Sequence, residues 1–318
     1  MKQVLITGVA GQDGVHLSEH LLESDYNVVG IDINKPLSTT NVEVITDVDI
    51  SDTDSVFKLI KEIAPDEIYH LAAYHKSSQD SVDNDLDTFK ISHAVNVLAV
   101  ANFLEAIRLF SKSTKLFYAS SSQIFGKPDN AMQDEDTTLN PTNIYGITKS
   151  AATQLCRYYR TNYNVFASVG IMYAHESPLR TSNFVSKKIV ETAVAIKMGH
   201  GEKLVLGHLG AEADWGYAGD YVVAMHKILQ HHVPDDFVIS SGVRHTVQDF
   251  VQTTFDYLGL NWEKYVVEDK SIVKSISNFS VLGNNHKLVS LTGWNQTVDF
   301  EGLVKLLVEA ELSIQKNE

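Results

Sequence analysis

A short apolar run that opens into three spaced glycines restricts this chain more than any other feature. "QVLIT" (3–7) reads as a buried parallel strand. "TGVAGQDG" follows it and places Gly8, Gly11 and Gly14 where a helix begins. Gly8 permits the tight turn, Gly11 lets the backbone approach a pyrophosphate, and Gly14 lets the helix pack closely on the sheet. The helix N-terminus then faces the negative charge. Glycine-rich turns abound, so the context matters: strand before, helix after, and an acid, Asp32 in "VVGIDIN", closing the second strand. A carboxylate there accepts hydrogen bonds from the adenosine ribose and repels a 2′-phosphate, which favours NAD over NADP. The alternative for Asp32 is a surface turn. Asp49, with Ile50, follows the third strand in "DVDISD" and either meets the adenine or caps a helix. Ala72 and Ala73, after the fourth strand, are small enough for a cofactor to lie over the backbone.

The first half of the chain alternates between strand and helix signals. "NVVGID", "VEVIT", "EIYHLAA", "KLFYAS" and "VFASVGI" supply the second to sixth strands. Between them lie helical patterns in "HLSEHLLES", "DSVFKLIKEI", roughly Leu86–Phe110, and "NIYGITKSAATQLCRYYRTNY". This βαβ alternation predicts an α/β fold, a doubly wound parallel sheet of the Rossmann type. After about Met172 the elements shorten and mix, which predicts a smaller mixed α/β lobe. We expect the sheet domain over 1–171 plus about 219–242, and the second lobe over 172–218 plus 243–318. Trp215, Trp294, Met172 and Tyr173 read as packing residues.

The 318 residues, 44% hydrophobic, suffice for a large core in two lobes. A net charge of −14 disfavours nucleic acid and anionic membranes as partners. The single cysteine, Cys156, fits a reducing compartment. "MKQVLITG" lacks the apolar core of a signal peptide, and no run reads as long enough to span a bilayer. The expectation is a cytoplasmic protein. The histidines show no metal-ligand spacing.

Tyr145 and Lys149 in "YGITK" are spaced i, i+4, so they share a helix face. A tyrosine of pKa near 10 is a poor base at neutral pH. A nearby ammonium and a positive nicotinamide ring favour its phenolate. A serine at the end of the fifth strand, in "YASSSQIFGK", supplies a hydroxyl for the substrate oxygen.

With "LITGVAGQDGVHLSEHLL", "PDEIYHLAA", "ASSSQIFGK", "IYGITKSA", "HESPLRTSNFVSKKI", "DWGYAGDYVVAM" and "GVRHTVQDF", the chain resembles the extended short-chain dehydrogenase/reductase superfamily. Within it, the similarity is to the GDP-mannose 4,6-dehydratase family. The resemblance implies an NAD-dependent enzyme acting at C4 of a nucleotide-linked sugar, with a GDP-hexose as the substrate it favours. It places Gln12 and Asp13 in the cofactor loop. It gives Tyr145 the C4 hydroxyl proton, Ser121 the O4 contact, and Lys149 the nicotinamide ribose. It also implies a homo-oligomer, with the helix near Leu86–Phe110 as a dimer face. Gln123 stands where the family has a catalytic Glu that removes the C5 proton and helps expel the C6 hydroxyl. An amide cannot act as that base.

Other departures fall in the nucleotide-binding segments. The family's paired arginines after the second strand are replaced by "DINKPL"; its Arg before "DWG" is Ala213, and its Asn before "HESP" is Ala174. Arg180, Lys187 and Lys188 are the candidate cations for a diphosphate, or else a solvated helix face. Asn183 is a candidate substrate contact, or else an N-cap. The dehydratase reading therefore stands beside two others. One is a C4 dehydrogenase, 4-ketoreductase or 4-epimerase without elimination. The other is a non-catalytic dinucleotide-binding sensor or scaffold.

Overall fold

A computed structural model describes residues 1–34, 42–75, 84–272 and 282–316. Its centre is a seven-stranded sheet in which every pairing is parallel. The strands are β1 (Gln3–Thr7), β2 (Asn27–Ile31), β3 (Glu43–Ile45), β4 (Glu67–His70), β5 (Lys115–Ala119), β6 (Ala167–Met172) and, later in the chain, β10 (Asp236–Ile239). Their spatial order is β10-β6-β5-β4-β1-β2-β3. The order reverses between β1 and β4. In such sheets the crevice beyond the strand ends at that point receives the ligand.

Alternation along each strand feeds two helix layers. Leu5, Leu116 and Tyr118 face one layer, where α2 (Thr53–Ile63), α4 (Ala99–Phe110) and α5 (Ile144–Tyr163) contribute Leu59, Phe103, Ile107 and Cys156. Val4, Ile6 and Phe117 face the other, built from α1 (Gln12–Glu23) and α7 (Ala218–Gln230). Burial on both faces explains why these strands read as continuous apolar runs.

Helix α4 continues α3 (Asp85–His93) through a π-helical turn at Ala94–Leu98. The whole helix, Asp85–Phe110, has the length and apolar content of a membrane span. This differs from the sequence expectation that no run was long enough. Val100, Phe103, Leu104 and Ile107 are fully buried against the sheet, so here its apolarity packs a protein core.

The second lobe has a separate core around Ile189, Trp215, Phe250, Phe255 and Leu303. It comprises β7 (Ala174–Glu176), α6 (Val185–Lys197), β8 (Leu204–Leu206), β9 (Glu212–Tyr217), β11 (Arg244–Thr246), α8 (Val247–Tyr257), β12 (Val266–Glu268) and α10 (Phe300–Gln315). β7, β9 and β11 form one small sheet, and β8 and β12 another. Leu288, on α9 (His286–Thr292), and Trp294 pack with α1 and α7 on the main sheet, before Leu303 and Leu307 of α10 join the second core.

Candidate active site

The glycine loop is shaped by close approaches. Gly8 has φ +78°, and a Cβ there would lie 2.8 Å from the amide nitrogen of Ala72. That amide also donates to Thr7 Oγ1 at 3.3 Å, which ties the end of β4 to the loop. A methyl group on Gly14 would run into the carbonyl oxygen of Gly8. Gly11 caps α1, and no side chain fills the cap. The first-turn amides therefore keep their capacity for an anionic group. Ala72 is half-buried and Ala73 exposed beside this loop.

Asp32 leaves the end of β2 with both oxygens oriented. Oδ2 accepts from the Ala10 amide at 3.0 Å, and Oδ1 from the Asn34 amide at 2.9 Å. Each oxygen keeps a lone pair for a hydroxyl. Asp49 is exposed, and its Oδ1 accepts from the amide and hydroxyl of Ser51. The cap of α2 falls to Asp52, which accepts from Ser55 at 2.8 Å. Ile50 receives Asn102 Nδ2 on its carbonyl at 3.1 Å.

The side chains of Gln12 and Asp13 turn to the second lobe. Gln12 donates to the His175 carbonyl at 3.1 Å and accepts from Ser177 Oγ at 2.9 Å. His175 Nε2 lies 3.0 Å from both oxygens of Asp13, and Nδ1 lies 2.7 Å from the Tyr173 carbonyl. Both ring nitrogens thus face acceptors. Burial opposes a charge on His175, but Asp13 outweighs it and raises the imidazole pKa. Burial likewise opposes the Asp13 carboxylate, and His175 with Arg180 holds its pKa low. His175 was not anticipated as a site residue, because its partner is distant in sequence.

Ser121, Gln123, Tyr145 and Lys149 converge at the end of β5. Ser121 begins a short 3₁₀ turn, Ser122–Ile124, and its Oγ accepts from the Gln123 amide at 3.3 Å. Its own proton is left to donate. Gly146 faces this turn: a Cβ there would stand 2.5 Å from the Gln123 carbonyl oxygen, so the position beside Tyr145 must be small. Lys149 Nζ donates to the Ala119 carbonyl at 2.7 Å and stands 5.6 Å from the Tyr145 ring centre. Burial lowers its pKa to about 7, although Asp13 and Cys156 act the other way. Burial raises the Tyr145 phenol pKa, and the charge that opposes this is Arg180.

Arg180 reaches the tyrosine through a chain of rings. Its guanidinium lies 3.5 Å from the ring centre of Phe184; Phe184 stacks on His75 at 5.8 Å, and His75 meets Tyr145 edge-on at 4.5 Å. Arg180 also pairs with buried Glu176 at 3.1 Å, outside hydrogen-bond geometry. The other candidate cations lie apart. Lys187 is buried and bonded to Glu311 of α10 at 2.8 Å, so its charge is compensated inside the lobe. Lys188 donates to the Val205 carbonyl at 2.9 Å. Asn183 is exposed and accepts from Thr181 Oγ1 at 2.6 Å; the cap of α6 is Phe184, not Asn183.

Sequence reasoning also missed Asn96, in the π-helical turn. Its buried amide accepts from the Tyr74 amide at 2.8 Å and donates to Ser92 Oγ and Thr148 Oγ1 at 3.0 and 3.1 Å. It joins the loop after β4 to the residue beside Lys149. A polar residue within the otherwise apolar run Ala94–Val100 was the available signal.

Known proteins share this fold. The fold is that of UDP-glucose 4-epimerase from Thermotoga maritima, with a TM-score of 0.83, 21% identity and coverage of 99% of this chain and 100% of that one. It matches dTDP-glucose 4,6-dehydratase from Bacillus anthracis with a TM-score of 0.82, 19% identity and coverage of 99% and 98%. Among sequences, the chain is 36% identical over 341 residues to GDP-mannose 4,6 dehydratase 2 of Arabidopsis thaliana, covering 100% of this chain and 88% of that one. It is 32% identical to the human GDP-mannose 4,6 dehydratase over 346 residues, covering 98% and 92%. The family model described as GDP-mannose 4,6 dehydratase matches residues 5–307, and the chain belongs to that family.

Proposed function

We propose that this protein oxidises C4 of a nucleotide-linked hexose, with a GDP-hexose as the substrate its family membership favours. The observation that carries the reading is the convergence of Ser121, Tyr145 and Lys149 at the end of β5. The glycine loop fits a dinucleotide: Gly8 needs its positive φ, Gly11 leaves the α1 amides uncapped, and Asp32 offers oriented oxygens. A bound nicotinamide dinucleotide would supply the hydride acceptor. Asp32 favours NAD over NADP, since a second anion beside its carboxylate is repelled.

The residues divide the work at O4. Tyr145 takes the hydroxyl proton, and Ser121 donates its remaining proton to the same oxygen as it gains carbonyl character. Lys149 is held by Ala119 close to the tyrosine, where it would also hold the ribose of a bound nicotinamide dinucleotide. With a pKa near 7 it can exchange a proton at neutral pH. Arg180 adds a positive field that favours the phenolate.

A second reading rests on Gln123. Without a carboxylate there, C4 chemistry proceeds without removal of the C5 proton, as in a 4-epimerase, a 4-ketoreductase or a C4 dehydrogenase. A panel of nucleotide sugars, read by mass spectrometry and nicotinamide absorbance, tests both. Loss of one water supports the dehydratase reading, and a C4 product of unchanged oxygen content supports the second. No change in sugar or cofactor with any member would leave a binding protein.

A further inference from the structure

We infer that Asn143 is a positioning residue that fixes Gln123 as a hydrogen-bond donor to an oxygen on C6 of the sugar. The inference rests on the proposed function for the placement of the sugar, but its first step does not. Asn143 is the N-cap of α5, and its Oδ1 accepts from the Gly146 backbone amide at 2.8 Å. A backbone N–H can only donate, so the oxygen end of the Asn143 amide is fixed. Its Nδ2 must then point the other way, and it lies 2.8 Å from Gln123 Oε1. A donor facing Gln123 fixes the second amide in turn. Gln123 therefore has its oxygen occupied, and among the described residues its Nε2 protons are left over. The polarity of the helix end is relayed through two amides to the position where the family carries a carboxylate.

This has a consequence for the ligand. A carboxylate at 123 accepts, takes up a proton and repels an anion. The oriented amide donates and cannot act as an acid or a base near neutral pH. It suits an acceptor oxygen on C6 that stays in place, either a hydroxymethyl oxygen or, with charge assistance, the carboxylate of a hexuronate. Gln123 is half-buried and Asn143 exposed, so the free donor is within reach of a ligand. Loss of the base and gain of a C6 donor then serve one substrate class, a nucleotide-linked hexose that keeps its C6 oxygen.

Two measurements test this. In the free protein, solvent exchange of the side-chain amide protons is read by NMR in wild type and in Asn143→Asp. The expected result is slowed exchange for Asn143 and fast exchange for Gln123. In Asn143→Asp the Gln123 protons should become the slow ones. Slow Gln123 protons in wild type overturn the relay, whatever the substrate. Calorimetry on the NAD-loaded protein then compares GDP-mannose, its C6-carboxylate counterpart and its 6-deoxy counterpart. Wild type should bind the hydroxymethyl sugar about 3–10-fold, and the carboxylate about 10–100-fold, more tightly than the 6-deoxy sugar. Asn143→Ser keeps a capping oxygen but frees the Gln123 amide, so both ratios should shrink toward one. Unchanged ratios in Asn143→Ser, or tightest binding of the 6-deoxy sugar by wild type, overturn the assignment of the C6 contact. Failure of all three sugars to bind, with the exchange pattern as expected, rejects the GDP-hexose reading and the C6 contact while the relay stands.

Discussion

The imidazole of His175 stands 3.0 Å from both carboxylate oxygens of Asp13, joining the cofactor loop to the first strand of the second lobe. The pair is ionic by its surroundings: His175 is raised above 6.5 and Asp13 lowered below 3.8. The signs set a window. A raised histidine contributes stability below its unfolded pKa and loses it as pH rises through the folded value. A lowered aspartate contributes above its unfolded pKa and loses it as pH falls. His175→Gln should therefore destabilise by about 1.5–3 kcal/mol near pH 6 and by less near pH 9. Urea melts at the two pH values measure this, and an equal loss at both would show that the contact is not ionic.

Lys149 gives the opposite sign. Burial depresses its amine from 10.5 to about 7, so the folded state carries a penalty that is full below pH 7 and relieved toward 10.5. Lys149→Met should raise stability at pH 7 by about 1–4 kcal/mol, after the loss of the bond to Ala119. It should also abolish oxidation of the sugar. The stability gain should shrink by pH 10. A variant less stable than wild type at pH 7 would contradict this account of the buried amine.

Asp32 orients the glycine loop through Ala10 as well as facing the proposed ribose. Asp32→Ala is expected to weaken NAD binding about tenfold or more and to narrow the difference between NAD and NADP. Calorimetric titration of both dinucleotides decides the matter. If wild type binds NADP as tightly as NAD, the carboxylate does not select.

Gln123→Glu keeps the contact from Asn143, since a carboxylate accepts that hydrogen bond equally well. It restores a general base, a contribution typically worth ~10²–10⁴-fold. The variant should take up solvent deuterium at C5 of a bound GDP-hexose and release water faster than wild type. Equal exchange in both proteins would mean that another group removes the C5 proton.

The sheet was legible because β1 and β4–β6 are buried on both faces and their apolar runs are bounded by loops. The second lobe was less so. β7, β8, β11 and β12 are three residues each, too short for period-two alternation to show. Tyr145 and Lys149 could be read from local spacing. His175 and Arg180 acquire their roles through Asp13 and Phe184, contacts that no local pattern encodes. Lys187 illustrates the converse. A lysine in the expected segment looked like a phosphate ligand, and its buried partner Glu311 lies in the last helix. The return of Trp294 to the main sheet was hidden for the same reason, since its indole donates to Asp220 on α7.

The π-helical turn at Ala94–Leu98 puts the two halves of the long helix out of phase. A wider turn accommodates one residue more than a regular α-helix would, a rotation of about 100°. Leu86, Phe89 and Ile91 before it are exposed, whereas Val100, Phe103 and Leu104 after it are buried. Deleting a single residue within the turn would let the ladder heal. The sheet-covering half could keep its seat, while Asn96 would swing off Thr148 and release the segment beside Lys149. The chain thus carries a frame-sensitive spot where the smallest deletion would leave a folded but uncoupled protein.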